Sequence, residues 1–567
     1  MSFINRKHSR MIDSENYSLN HTHWFIGIVL CAFVLLLGCN RLSDQEEQFF
    51  SQASENAKLA NEGLRRSNRY MNAWLEKADT ETGLIPRNLG DSRDIWNAKD
   101  AAADNYPFMV LTASITDHKR YNGKLTGMLR TEEKLTSRLG KLPDTWSFKK
   151  DDFESETPDT ADIIFGASEY IKDGLLPLTE WLGKSPWSDR MLDMMDDIWK
   201  YASVPTEYGN IPTRNIEVHG EMLQALPRLY FMTGNEKYLQ WALRLGNHYL
   251  TGEGYPGLFQ NNLRLRDHGC EIISGLCELY CCVSSDRPEL KEKYKEPLYR
   301  LLDKILEEGR NSHGLFYNVV RLKSGEIINE GIADTWGYTL NGYYTVYLLD
   351  QLQRYRQPVI KAFNNLHHYD AYDWESGSAD GYADAIESAL NLYNRESMTS
   401  AQKWMDDQTQ IMWSMQDSSH RENALEWKDS GIIEGWHGDG NFARTTIMYC
   451  LWKTRGLTAN PWNGSLKFGA VSDTNTLYIS IQSDETWDGE LIFDYSRHKE
   501  NMGMPLDYPR INQFPEWFTI NREKEYRVTR VNENSTETYE GEDLLDGLDL
   551  NLKGGDWYYL KIERVAN

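Results

Sequence analysis

The chain has 567 residues and a formal net charge of −24 at pH 7, from 61 Lys and Arg against 85 Asp and Glu. No basic tract follows the first residues, so the balance argues against nucleic acid as a partner. The 19 Trp and 32 Tyr suit stacking on sugar rings, although helix arrays also pack aromatics in their cores.

In chain order, Trp24 to Gly38 is an apolar run too short for a comfortable transmembrane helix. It ends in Leu36-Leu37-Gly38-Cys39, which resembles the lipobox of bacterial lipoproteins. That resemblance implies that residues 1–39 hold a lipoprotein signal and that Cys39 carries lipid. Asn40 implies the outer membrane, on its periplasmic side or at the cell surface, with the lipid as the sole membrane contact. From 40 to 457 apolar residues recur at helical spacing, over 56–77, 101–115, 167–182, 188–202, 219–232, 236–250, 270–283, 290–308, 338–353, 382–394, 397–415 and 440–455. More polar helices alternate with more apolar ones, which predicts an outer ring around an inner ring. The expected fold is therefore mainly α, an (α/α)6 toroid of six hairpins or seven. After Thr458 the period changes to two, in Leu477–Gln482, Glu490–Tyr495, Tyr526–Val531 and Trp557–Glu563. Residues 458–567 are expected to form a small antiparallel β-sandwich that braces the toroid.

A His-Gly pair followed closely by an acid precedes three apolar helices: His219-Gly220-Glu221, His268-Gly269-Cys270-Glu271 and His437-Gly438-Asp439. Glu221 and Glu271 lie fifty residues apart, and at that offset Leu226 matches Leu276 and Tyr230 matches Tyr280. An acid in a helix's first turn has an ordinary role, capping free amides and meeting the positive dipole end. Asp173 and Asp384 are read that way, and Glu169 and Asp380 are further helix-start acids. The threefold combination exceeds what capping requires, and its Gly removes bulk where a backbone or ligand comes close.

Glycosidic bond cleavage suits this pattern. It needs one protonated carboxyl to serve the leaving oxygen and a second to activate water or attack. Glu221 and Glu271 are the first candidate pair, with Asp439, Asp334 and Asp104 as substitutes. His219, His268 and His437 are candidates to orient the acids or bond the sugar, and Asp104, Asp334 and Trp336 are further candidate substrate contacts. Arg214 and Arg266 precede two of the motifs. Two guanidinium groups facing one pocket would hold a carboxylate in bidentate fashion, which points to a uronic acid, while surface salt bridges are the competing reading. Cys270, Cys277, Cys281, Cys282 and Cys450 sit in apolar helical contexts without a CxxC pair and read as buried small side chains. No cofactor and no metal site is expected. His367-His368 with Asp370 and Asp373 reads as a solvated loop.

The stretches Trp96-Asn97-Ala98-Lys99-Asp100 to Pro107, Arg266 to Glu271 and His437 to Gly440 resemble the (α/α) toroid hydrolases and lyases of bacterial polysaccharide-degrading loci, and most of all glycoside hydrolase family 154. The resemblance spans most of residues 50–456. It implies an exo-acting β-glucuronidase whose partner is a uronic-acid-containing oligosaccharide or polysaccharide, and it assigns no catalytic residue. Two alternatives stay open. One is a polysaccharide lyase or unsaturated-uronyl hydrolase, a lyase using His268, Arg266, Asn215, Tyr338 and His219. The other is a non-catalytic, glycan-binding surface lipoprotein.

Overall fold

The computed structural model describes residues 42–417 and 430–565. Cys39 and the apolar run before it lie outside the described residues. Among those described, no helix is long and apolar enough to cross a membrane. Two compact units are present, Met1–Gln48 and Phe49–Asn567, and the fold lies in the second.

Seven inner segments form a closed ring, each packed on the next and the last on the first. They are Tyr106–Thr116 with a π-helical lead-in Ala98–Asn105; Thr160–Glu169, continued through a π-helical Tyr170–Leu175 into Leu176–Leu182; Ile216–Thr233; Glu271–Asp286; Trp336–Asp350; Ala379–Tyr393; and Gly438–Thr454. Outer helices alternate with them: Asp44–Lys77, Thr126–Thr136, Pro186–Lys200, Glu236–Leu250, Pro288–Glu308, Gln353–Asn365 and Thr399–Asp417. The described residues thus make a mainly α toroid of seven hairpins, not six. The two helices absent from the expected pattern are Thr126–Thr136 and Gln353–Asn365. The first buries only Met128, Leu129, Glu132 and Thr136, a weak apolar stripe, and the second buries Tyr355, Pro358, Val359, Ala362 and Phe363 but carries a Pro inside it, which reads as a helix breaker.

Inner helices are covered on all sides and lose amphipathic contrast. Every residue from Glu271 to Val283 is buried. Two glycines let neighbouring inner segments touch backbone to backbone. A Cβ on Gly220 would lie 2.4 Å from the Ile272 amide nitrogen, and one on Gly440 would lie 1.8 Å from the Asp104 carbonyl oxygen. All five cysteines in the described residues are free and buried, as expected.

Beyond Thr458 the chain forms two antiparallel sheets. The larger runs Leu466–Ser472, Thr476–Ser483, Tyr558–Arg564, Glu525–Arg530, Ser535–Glu540, and the smaller Leu548–Leu552, Trp487–Ile492, Thr458–Asn460. All four expected strands are present within these. The larger sheet docks on the first outer helix, where Asn56 donates to Ala470 O at 2.9 Å and Asn61 to Leu466 O at 2.8 Å.

An irregular segment, 508–515, is buried throughout its length. Its partners come from several inner helices. Arg510 Nη2 donates to Glu180 at 2.5 Å, Tyr508 Oη to Glu278 at 2.9 Å, and the Asn512 amide to Glu387 at 2.6 Å. Ile511 packs with Cys270 and Tyr338. The C-terminal region therefore threads the lumen of the ring as well as bracing its side.

Candidate active site

The N-terminal ends of the inner segments converge on a cavity of about 330 Å³. Eight carboxyls line it: Asp100, Asp104, Glu169, Asp173, Glu217, Asp267, Asp380 and Asp384. Against them stand Lys99, Arg444 and two imidazoles, His268 and His437, with Phe165, Tyr338 and Asn441 completing the wall. The two π-helical stretches carry Lys99, Asp100, Asp104 and Asp173. Such local widening of a helix is frequent at functional sites.

Around the ring the acids fall into two arcs. In the first, His268 lies between carboxylates. Its Nδ1 bonds Glu217 and stands 3.7 Å from Glu169, while Nε2 stands 3.1 Å from Asp267. The Asp267 charge holds this imidazole protonated far above its ordinary range, against burial and with help from Glu169 and Glu217. His268 also adopts φ of 62°, a left-handed conformation unusual for a residue with a side chain. Burial pushes Glu169 well above the usual carboxylate range, and Glu221 behind it adds to the effect. Burial works the same way on Asp267, but His268 and Lys172 outweigh it and hold that carboxyl below its ordinary value.

In the second arc, His437 Nδ1 lies 3.3 Å from Asp104. Burial raises Asp104 to about 6, with the paired His437 restraining it. His437 itself is raised to about 10, because Asp104 and Asp380 outweigh its burial. Asp380 accepts from Asn441 at 2.6 Å and is pushed well up by burial and by Asp384. Arg444 donates to Asp384 at 2.6 Å and meets Glu387 at 2.9 Å, while its Nε has no partner among the described residues.

Of the residues singled out in the sequence, the structure brings His268, His437 and Asp104 to the cavity wall. Glu221 and Glu271 lie behind it, both buried, each with one oxygen lacking a hydrogen-bond partner. Burial raises Glu271 to about 7 even with the Lys172 ammonium 3.7 Å away. Asp439 is a correction. Its oxygens accept from Trp74 Nε1 at 2.9 Å and from the amides of Ile433 and Glu434 at 3.0 and 2.8 Å, so it ties down the loop ahead of its helix and faces no ligand. His219 is a second. It is buried between Tyr249 Oη and Thr213 O, and burial lowers it to about 4, which makes it a neutral packing residue.

Asp334, Trp336 and both early arginines also lie off the wall. Arg266 is bound to Glu375 and stands 3.4 Å from Asp334, Arg214 is exposed, and Trp336 is core. Among the described residues no pair of guanidiniums faces the pocket. Asp173 and Asp384, expected to cap helices, instead pair with Lys172 at 2.6 Å and with Arg444.

Glu169, Asp267 and Asp380 stood among the helix-start groups without a role, and Glu217 was not among them. The signal that finds Glu217 is Asn215, whose side chain caps the Glu217 amide at 3.0 Å and starts the helix one turn earlier than the His-Gly pair suggests. Three trios among the described residues offer ligand atoms within 4.8 Å of one another: Glu169, Glu217 and His268, and Glu169, Asp173 and Glu221, both at this site, and His498, Asp507 and Glu516. A protonated His268 is no metal ligand, and in the second trio the Lys172 ammonium pairs with Asp173 at 2.6 Å.

No family model and no curated protein sequence matches the chain. Solved structures are similar at low level. An α-1,6-mannanase of Salegentibacter sp. HEL1_6, in complex with α-1,6-mannotetrose, is 9% identical, with a TM-score of 0.37 over 68% of this chain and 98% of that one. A family 76 mannosidase from Bacteroides thetaiotaomicron is 13% identical, with a TM-score of 0.36 over 69% and 98%. A sugar epimerase from a ruminal bacterium is 12% identical, with a TM-score of 0.38 over 54% and 86%. Likeness at this level carries no argument about the reaction, which rests on the cavity.

Proposed function

We propose that this chain is a glycoside hydrolase that cleaves a terminal sugar from a glycan in the acidic cavity. The observation that carries the reading is the pairing of a carboxyl raised to about 6, Asp104, with one held ionised, Asp267, on different arcs of one small cavity. That is the division of labour glycosidic cleavage needs. Asp104 donates the proton to the leaving oxygen, Asp267 activates water or attacks, and His437 and His268 hold the two in place. The cavity is at the small end of ligand sites, which run from roughly 300 to 1,000 Å³, and admits the end of a chain.

The excess of acids over cations favours an uncharged terminal ring. Terminal β-linked glucuronic acid, implied by the resemblance to family 154, is the second reading. It is favoured by the Arg444 guanidinium in the cavity wall, a cation of the kind that meets a substrate carboxylate. A lyase is disfavoured, because the Tyr338 hydroxyl is pushed far above its ordinary value by burial and donates to both Asp384 and Glu387. It is a poor base.

The test is to incubate the purified protein with neutral and glucuronate-capped oligosaccharides and read products by mass spectrometry. A gain of water on release of a saturated terminal sugar supports the proposal, and the substrate that reacts decides between the two readings. An unsaturated product, or tight binding with no product, overturns it. The rate should fall as pH rises through about 6, as Asp104 loses its proton.

A further inference from the structure

The ring carries a second, larger cavity on its outer wall, about 810 Å³ against 330 Å³ for the central one. It lies between the outer helix Pro288–Glu308, the short helix Tyr255–Gln260 and the turn after strand Tyr317–Arg321. The short helix falls in the connection that leads into Glu271, and Pro288–Glu308 runs toward the connection into Trp336. Both connections belong to the end of the toroid that holds the acidic mouth.

Its chemistry differs from that of the mouth. Tyr255, Phe259 and Tyr299 line it. The Tyr255 hydroxyl donates to Pro297 O at 3.1 Å and the Tyr299 hydroxyl to Asp350 at 2.6 Å, so these rings are held in place. Among its charged groups, Arg354 is taken up by Asp303 at 3.1 Å, and Lys304 by Glu308 at 2.7 Å and Glu307 at 3.0 Å. Arg300 and Lys323 have no ion pair among the described residues, and only Glu296 remains to oppose them. The Arg300 guanidinium sits 5.6 Å from the Phe259 ring centroid.

Fixed aromatic rings beside two cations that make no ion pair among the described residues fit a flat ligand with spaced negative charges. We propose that this groove is a second glycan-binding site, selective for oligosaccharides bearing carboxylate or sulfate groups. It lets the protein hold a charged chain whose uncharged end enters the mouth. The binding site stands on its own residues, and only its service to the mouth rests on the hydrolase reading.

Calorimetric titration of the whole protein tests it, with tetragalacturonate, a chondroitin sulfate tetrasaccharide and neutral cellotetraose as probes. Either anionic probe should bind, with affinity falling as salt rises. Cellotetraose should bind at least roughly tenfold more weakly, and Arg300→Ala/Lys323→Ala should weaken the anionic probe by a similar factor. Both side chains are exposed, so the double variant should keep the parent Tm. Phe259→Ala should weaken binding without changing its salt dependence. Asp104→Asn, altered only in the central cavity, should bind as the parent does. The proposal is overturned if neither anionic probe binds, if cellotetraose binds equally well, or if the double variant binds like the parent. Loss of sugar release with this binding intact would count against the hydrolase reading alone.

Discussion

Glu169 and Glu180 lie eleven residues apart on one inner segment, both buried, and their chemistry is opposite. At the end of the ring away from the mouth, Arg510 reaches Glu180 at 2.5 Å and holds its carboxyl below the ordinary value despite burial. Nearby, Arg228 and Glu278 are matched in the same way, through two hydrogen bonds of 2.8 and 2.6 Å. At the mouth no guanidinium among the described residues meets Glu169, and burial with Glu221 drives it up. Burial alone does not decide a carboxyl's state in this ring; the presence of a matched cation does. One end matches its buried carboxyls with guanidinium groups, while the other leaves Glu169 without one among the described residues.

The strongest way to break this contrast is to neutralise the mouth. Asp104→Asn and Asp267→Asn should each lower kcat on a cleaved glycan by about 10²–10⁴-fold. Asp104→Asn should leave Tm unchanged or raise it, because burial already disfavours that charge, whereas Asp267→Asn should lower Tm, because its charge is matched by His268 and Lys172. Retained turnover, or a Tm loss in Asp104→Asn like that of the next variant, would erase the distinction. At the matched end, Arg510→Met strands Glu180 in the interior and should cost about 3–5 kcal/mol, read by denaturant unfolding. Adding Glu180→Leu should restore most of it. A smaller effect sharpens the picture at the back of the first arc. His219 is lowered from 6.5 to about 4, so the stability it contributes is fully present above pH 6.5 and is lost as pH falls toward 4. His219→Gln should flatten the stability–pH curve in that window by up to about 1.4 kcal/mol per pH unit, and an unchanged curve would refute the assignment.

Much of the ring was legible because its inner helices repeat apolar residues at helical spacing and its strands alternate. The polar end was legible too, and with it His268, His437 and Asp104. What failed was depth along the helix. One turn of helix rises about 5.4 Å, so an acid four residues on lies a layer deeper. The His-Gly repeat therefore pointed to Glu221, while Glu217, set by the Asn215 cap, is the residue at the wall. Partners distant in sequence were also invisible. Nothing near Arg266 announces Glu375, which takes its charge, so the pair with Arg214 looked like a carboxylate clamp. The segment 508–515 has no periodicity to read, and only the folded ring reveals where it runs.

That segment has a consequence for traffic. Ile511 packs on Tyr338, a wall residue of the cavity, and Asn512 reaches Asp173 from below at 3.0 Å, so the lumen is stoppered on the side opposite the mouth. A polymer cannot be threaded through such a chamber and cut as it passes. Whatever is released inside must back out through the opening by which it came, ahead of the next chain end.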